Sequence, residues 1–328
     1  NSSKIDIEIY FSNNNPLGIK TFDVEDLSLD QRKKLKFIKN KWFLDKIIIW
    51  QTGVLKKVLF SPFDNLMLLG EFQIISSWIA ILISKIRNKK VIIWTHGLYG
   101  NENFVKRVLR VCFYKLADSV LVYENRAKSL LINSGISADS ISVVYNSLDF
   151  KRQNTLFNKL SDDKKIMSSY FLNNDLPTIV FIGRITPQKK INQLIEAVIK
   201  LNNKIIKYNL LIIGDGPLKI ELSESYNYEI NKRWLYFYGS TYNENELSKL
   251  IFNSDLCVSP GNVGLTAIHS ITYGTPIATH SNLSNQMPEV EIIEEGVNGF
   301  LFNEGDINDL ARKIELFFNS KSISKDLI

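Results

Sequence analysis

The residues best suited to chemistry in this 328-residue chain lie between positions 183 and 289. Gly183-Arg184 is followed five residues on by Lys189, two cations around a turn that contains Pro187. An arginine can fork onto phosphate oxygens and a lysine can set a point charge beside them, while a glycine lets the backbone approach a ligand closely. Gly214-Asp215-Gly216-Pro217 reads as a second tight turn. The most distinctive stretch is SPGNVGLTAIHSITYGTPIATH, from Ser259 to His280. It reads as the end of a buried strand at 255–258, a turn rich in Pro and Gly, and a helix over about 264–273 that stops at Gly274 before Pro276. Exposed N–H groups at such a turn suit an anion, usually a phosphate. The same strand, glycine turn and helix recur in α/β proteins where nothing binds, and Arg184 with Lys189, taken alone, reads more readily as surface charge. Combined, the two cations and the turn near Gly264 suit one diphosphate.

Strands alternating with helices must position these groups. In the first half, 4–11 alternates charged and apolar residues as a half-buried strand does. The stretch 22–41 reads as a capped, basic helix or loop-helix element, and the short apolar runs at 46–50 and 57–60 read as strands of a covered parallel sheet. Strands at 90–94, 119–123 and 141–145 alternate with helices at 103–116 and 125–134. Polar residues dominate 150–176, where an interdomain connection is expected, with part of it helical. The second half repeats the alternation, with strands at 177–182, 209–213, 235–238, 255–258 and 277–279 and helices at 191–201, 218–228, 244–253 and 306–318. This predicts an α/β chain of two doubly wound parallel-sheet domains. The expected division is 1–160, a connection at 161–176, a second domain at 177–318, and a tail or crossover from 319. In open parallel sheets ligands sit beyond the carboxyl ends of the strands, which is where Gly183, Gly214 and the turn after 258 fall.

Composition narrows the classes further. The chain is 45% hydrophobic and 23% charged, as soluble proteins are, and its length suits two domains. Cys112 and Cys257 lie far apart in apolar segments and read as reduced core residues; neither they nor His96, His269 and His280 have metal-ligand spacing. The best candidate for a membrane span, 66–86, carries Gly70, Glu71, Gln73 and two serines, so a buried helix is the better reading. No signal peptide is legible. Residues 1–170 hold 26 Lys and Arg against 16 Asp and Glu, whereas 171–328 hold 14 against 18. The basic excess of the first half suits anionic lipid head groups, a phosphorylated acceptor, or no more than a solvated face; no motif for reading nucleic acid is present.

The order and spacing of FIGRITPQKKINQLIEA (181–197), LLIIGDGP (210–217), YGSTYNENELSKLIFNSDLCVSP (238–260), GLTAIHSITYGTP (264–276) and PEVEIIEEGVNGFLF (288–302) resemble the donor-binding half of family 4 glycosyltransferases. These are retaining enzymes of the GT-B fold, two Rossmann-like domains facing a central cleft. His96-Gly97 and VVYNSLD (143–149) extend the resemblance into the first half. It implies a nucleotide-diphosphate sugar as co-substrate on the C-terminal domain and a glycan or lipid-linked acceptor on the N-terminal one, in bacterial surface polysaccharide or glycoconjugate synthesis. By the same resemblance Arg184 and Lys189 neutralise the diphosphate, and His96 stands near the transferred sugar. Gly183, Gly214, the turn Asn262-Val263-Gly264-Leu265-Thr266, His269 and Glu289 line the donor site. Neither metal nor other cofactor is expected, since cations already face the leaving group. The expected location is cytoplasmic, with the inner membrane face as a candidate surface.

The chain departs from the family at the two glutamates that the family usually carries eight positions apart, where it has Gly261 and His269. A neutral His269 is able to accept a ribose hydroxyl, or is a core residue; Gly261 offers the sugar no side chain. Family members also open with a glycine-rich loop that 1–15 lacks and close with a crossover helix near Ile328, so a trimmed chain or an atypical first domain is expected. The alternatives are a sugar-nucleotide epimerase or glycan phosphorylase of similar layout, and a degenerate transferase acting as a binding subunit.

Overall fold

The computed structural model describes residues 6–12, 28–45, 47–161 and 164–320. The expectations for the first two residues of the strand at 4–11, for 22–27, for Lys46, for Asp162-Asp163 and for the end of the tail lie outside them. The chain divides into two units, Asn1–Val144 and Tyr145–Ile328.

In the first unit, β1 (Ile9–Phe11) leads to α1 (Leu29–Lys34) and β2 (Leu35–Phe37), and β1 pairs with β2 in parallel. A capping box starts α1: the Ser28 hydroxyl accepts from the Gln31 N–H and the Gln31 side chain from the Ser28 N–H. Then β3 (Lys39–Phe43) and β4 (Ile48–Thr52) form an antiparallel pair. After α2 (Val54–Phe60) come β5 (Asn65–Leu69), α3 (Ile75–Ile86), β6 (Lys90–Thr95), α4 (Phe104–Lys115), β7 (Ser119–Val122), α5 (Asn125–Ile132) and β8 (Ile141–Val143). The strands β5-β6-β7-β8 lie in that order in one parallel sheet. Ile81 of α3, Phe113 and Tyr114 of α4, and Ala127 and Leu131 of α5 share one core with Val91, Ile93, Val120 and Val122 of the sheet.

Several expectations fail here for definable reasons. The run at 57–60 is helical, because Val54 and Val58 sit one turn apart and pack with Ala80 of α3. The run at 46–50 becomes β4, paired antiparallel rather than covered in the parallel sheet, with its residues only half-buried. The stretch 66–86 splits into strand β5 and helix α3 around Gly70, where a Cβ would stand 2.2 Å from Thr95 Cβ. Among the described residues no helix is long and apolar enough to cross a membrane. Cys112 is exposed on α4 rather than in the core, whereas Cys257 is buried.

The second unit begins with α6 (Phe150–Phe157) and continues through β9 (Thr178–Ile182), α7 (Ile191–Leu201), β10 (Asn209–Ile213), α8 (Lys219–Ser225), α9 (Asn227–Asn231) and β11 (Leu235–Gly239). It is completed by α10 (Glu244–Phe252), β12 (Leu256–Ser259), α11 (Thr266–Thr272), β13 (Ile277–His280), β14 (Gly299–Phe302) and α12 (Ile307–Ser320). The division between units falls at 144/145 rather than 160 because α6 belongs with α10: the Phe157 and Phe252 rings lie 6.0 Å apart and Gln153 donates to Glu244. The parallel sheet runs β11-β10-β9-β12-β13-β14, covered on both faces, by α7 and α12 on one and by α10 and α11 on the other. Strand order reverses between β9 and β12, so the carboxyl ends of those two neighbours diverge into loops on opposite sides. Such a junction leaves a crevice for a ligand.

Candidate functional site

At that junction backbone approaches backbone. Gly214 has φ 153°, and a Cβ there would stand 1.8 Å from the Gly183 carbonyl oxygen, so the turns after β9 and β10 touch in a way only glycine permits. Gly261, after β12, is held as tightly. A Cβ on it would lie 2.0 Å from the Gln188 carbonyl oxygen, and its own N–H donates to the Lys189 carbonyl at 3.1 Å. The short helical turn Pro187–Lys189 therefore rests on the 260–263 turn, and Lys190 closes it in a left-handed conformation before α7.

Lys189 reaches across this contact, its Nζ donating to the Asn262 carbonyl at 2.6 Å. Burial pushes its ammonium below the usual lysine value, and the charge of Glu289 works against that fall. Glu289 is 5% exposed, with Oε1 accepting from Asn146 Nδ2 at 2.9 Å, which joins the two motifs NSLD and PEVE. Its Oε2 and the Oδ1 of Asn262 are buried and accept from no described residue. Buried acceptors without donors are uncommon and costly. Arg184, by contrast, is exposed at the end of β9 and bonds to no described residue.

The turn itself is locked from beneath. Gln286 accepts from the Val263 N–H at 2.8 Å and donates to Thr279 Oγ1 and the His280 carbonyl, and Thr279 donates to the carbonyls of Ser259 and Gly261. This corrects the expectation for Val263: its N–H is engaged and its side chain lies in the core, so neither can meet a ligand. The N–H groups of Gly264 and Leu265 donate to no described residue. Thr266 turns its hydroxyl to the Ile182 carbonyl at 3.0 Å, tying α11 to the end of β9. The helix starts later than expected, at Thr266 rather than Gly264.

His269 is a half-buried residue at the side of α11, with Nε2 3.3 Å from Glu244 Oε1. Burial lowers its pKa and Glu244 opposes that. Glu244 also accepts from Tyr273 at 2.6 Å and from Gln153 at 3.1 Å. Burial acts to raise its carboxyl, but those bonds, with His269 and Arg152 nearby, hold it below the ordinary carboxylate value. Glu244, Gln153, Gln286 and Asn146 were not identified as site residues from the sequence: Asn146 and Glu244 fall inside stretches of the resemblance without standing out there, and the partners Asn146–Glu289 and Gln153–Glu244 lie 143 and 91 residues apart.

His96 belongs to the first unit, at the carboxyl end of β6, with its ring 4.7 Å from that of Tyr123 and 6.3 Å from that of Tyr99. The loop that follows is held by Glu102, which accepts from the N–H groups of Tyr99 and Gly100 and from Arg110, while Arg126 donates to the Tyr99 carbonyl. The buried Tyr114 hydroxyl meets Thr95 Oγ1 and the Gly70 and Gly97 carbonyls.

A further ion pair braces the loops after β13 and β14 against the start of α7. Lys190 Nζ lies 2.6 Å from Glu304, which also accepts from Asn282 and Asn285. Led by the Lys190 bond, these contacts depress the Glu304 carboxyl to about 2 from its ordinary value near 4.5. A depressed carboxylate adds stability that is present above the unfolded pKa and lost as the pH falls through the folded one. Glu304→Gln is expected to destabilise the protein by about 1–2 kcal/mol at pH 7, with the difference shrinking between about pH 4.5 and 2. Urea melts of both proteins across that range check it.

Residues 162–328 match the family model described as glycosyl transferases group 1. A 41.2 kDa protein in the cps region of Klebsiella pneumoniae is 26% identical over 82% of this chain and 74% of its own length. Among solved structures, Anabaena Alr3699/HepE in complex with UDP matches with a TM-score of 0.66 and 18% identity, covering 89% of this chain and 79% of that one. It has also been solved with UDP-glucose. The lipopolysaccharide outer core galactosyltransferase WaaB matches with a TM-score of 0.61 and 21% identity, over 83% of this chain and 71% of its own. These likenesses show the expected GT-B fold.

Proposed function

Because the chain belongs to the glycosyl transferases group 1 family, we propose that its second unit binds a nucleotide-diphosphate sugar and that the sugar passes, with retention, to a glycan or lipid-linked acceptor of a bacterial surface polysaccharide. The observation that carries the donor reading is the company Lys189 keeps. One cation and the N–H groups of Gly264 and Leu265 suit an anion, while Glu289 Oε2 and Asn262 Oδ1 are acceptors in want of donors. A sugar diphosphate supplies both, phosphate oxygens for the first set and hydroxyls for the second. UDP and UDP-glucose bound to HepE support this choice, and the cps and lipopolysaccharide settings of two relatives support the acceptor class.

In the reaction the bond from the sugar's anomeric carbon to the diphosphate oxygen breaks, and the electron pair stays on the diphosphate. The acceptor hydroxyl oxygen bonds to that carbon, and its proton passes to the departing phosphate. Lys189 and Arg184 oppose the negative charge that grows on the leaving group, which lowers the barrier without calling on a metal. His96, on the other unit, is assigned to the sugar and acceptor side. Purified protein incubated with a panel of radiolabelled nucleotide sugars and lipid-linked acceptors tests the assignment: label in the acceptor supports it, and epimerised donor without transfer sinks it.

A specific feature supports placing the acceptor reaction at an anionic membrane surface. On α4, Phe104, Val105, Val108, Leu109 and Cys112 are exposed on the side opposite the buried Phe113 and Tyr114, flanked by Lys106, Arg107 and Lys115. An outward apolar stripe with basic flanks fits the interface of an anionic leaflet. The expected result is binding to vesicles containing phosphatidylglycerol, weakened about tenfold by the pair Val105→Asp and Val108→Asp and by salt. Sedimentation with such vesicles and with phosphatidylcholine alone measures it.

A further inference from the structure

We propose that the Glu244 carboxylate accepts hydrogen bonds from the vicinal ribose hydroxyls of the donor nucleotide. The inference rests on the donor reading above and adds the group that holds the nucleoside.

Glu244 opens α10, reached by the loop that leaves the carboxyl end of β11, so it stands on the same edge of the sheet as Lys189 and the 260–264 turn. The three described contacts to it all fall on one oxygen: Tyr273 at 2.6 Å, Gln153 at 3.1 Å and His269 Nε2 at 3.3 Å meet Oε1. They come from α6, from α11 and from Tyr273 at the end of α11, and both helices pack against α10. Oε2 receives no donor from any described residue, although the side chain is only 17% exposed. Three donors on one oxygen fix the carboxylate plane and leave the second oxygen set to accept.

Position along α11 identifies what it accepts. His269 is four residues beyond Leu265, hence about one turn, 5–6 Å, further along from the N–H groups proposed for the diphosphate. The ribose is joined directly to the diphosphate, so its hydroxyls fall at this level. The same geometry revises the role expected of His269. Its Nε2 is directed at Glu244, so His269 is a positioning residue, with Tyr273 and Gln153, and the carboxylate that meets the sugar comes from a neighbouring helix. The charged groups around the pair are Glu244 and His269 themselves and Arg152 of α6.

Calorimetry with UDP and 2′-deoxy-UDP, and with GDP and 2′-deoxy-GDP alongside, tests this. Wild-type protein is expected to prefer the ribose form by about tenfold to a hundredfold, because a charged acceptor rejects an analogue that lacks its donor. In Glu244→Ala the preference falls to within about twofold, while a diphosphate-bearing ligand still binds. Should the alanine variant fail to fold, Glu244→Gln keeps the shape and is expected to lose most of the preference. A wild type that binds the nucleotide with equal affinity for both sugars overturns the inference and leaves the donor reading standing, as does full preference in a folded variant. A wild type that binds none of the four nucleotides overturns both.

Discussion

Lys189→Ala lowers kcat/KM for sugar transfer by about a hundredfold to a thousandfold, the range lost when one preorganised group is withdrawn from developing charge. The loss falls mainly on kcat, because in the proposed reaction Lys189 meets charge that grows as the diphosphate departs. The side chain is partly buried and tied to the Asn262 carbonyl, so it is in place before substrate arrives. Its lowered pKa adds a second signature. As pH rises through that value the ammonium is lost, so activity declines on the alkaline side earlier than an ordinary lysine would allow, and the alanine variant lacks that limb. Lys189→Arg does not restore the rate, since a planar guanidinium needs space that the 260–263 turn fills. Steady-state kinetics of the three proteins against pH, with circular dichroism to confirm folding, is the measurement; an unchanged kcat/KM in the alanine variant sinks the assignment.

Gly261→Glu has the second large effect, and its direction is the opposite of what motif repair would suggest. The resemblance places a glutamate at this position in the family, yet a Cβ here meets the Gln188 carbonyl at 2.0 Å and Lys189 Cα at 2.7 Å. Both are backbone, so no rotamer relieves the clash. The substitution is expected to cost about 2–3 kcal/mol of stability and to dislodge the turn that carries Lys189, weakening donor binding as well. Gly264 is the control: nothing lies within 4 Å of a Cβ there, so Gly264→Ala is expected to stay within about 0.5 kcal/mol of wild type. Urea melts of both variants decide the matter, and a Gly261→Glu protein of wild-type stability would show that the turn has more room than its geometry allows.

Much of the second unit was legible because its elements obey a single period. Ile191–Leu201 buries Ile191, Leu194, Ile195 and Val198, a helical repeat visible in the letters, and Asn209–Ile213 is buried on both faces, as a continuous apolar run suggests. Short apolar runs misled where a tertiary partner chose the conformation: the run at 57–60 is drawn into a helix by its packing on α3, and β14 escaped notice because four residues after Asn298 carry no period. In the site, cations and glycines were legible because their chemistry is intrinsic to the residue. Glu244 was not, because a carboxylate becomes a binding group only through what surrounds it, and its clamps lie 91 and 29 residues away at Gln153 and Tyr273.

The loop after His96 has a consequence for anyone who would transplant it. Its backbone is held from outside its own span, by Arg110 through Glu102 and by Arg126 through the Tyr99 carbonyl, and its base is fixed by Tyr114. A graft of 96–103 alone into a relative would strip the loop of the two guanidinium supports and strand Glu102 without its cation. The transferable cassette is the whole span from Gly70 to Arg126, and libraries in this loop should vary its other side chains while leaving Glu102, Arg110, Tyr114 and Arg126 untouched.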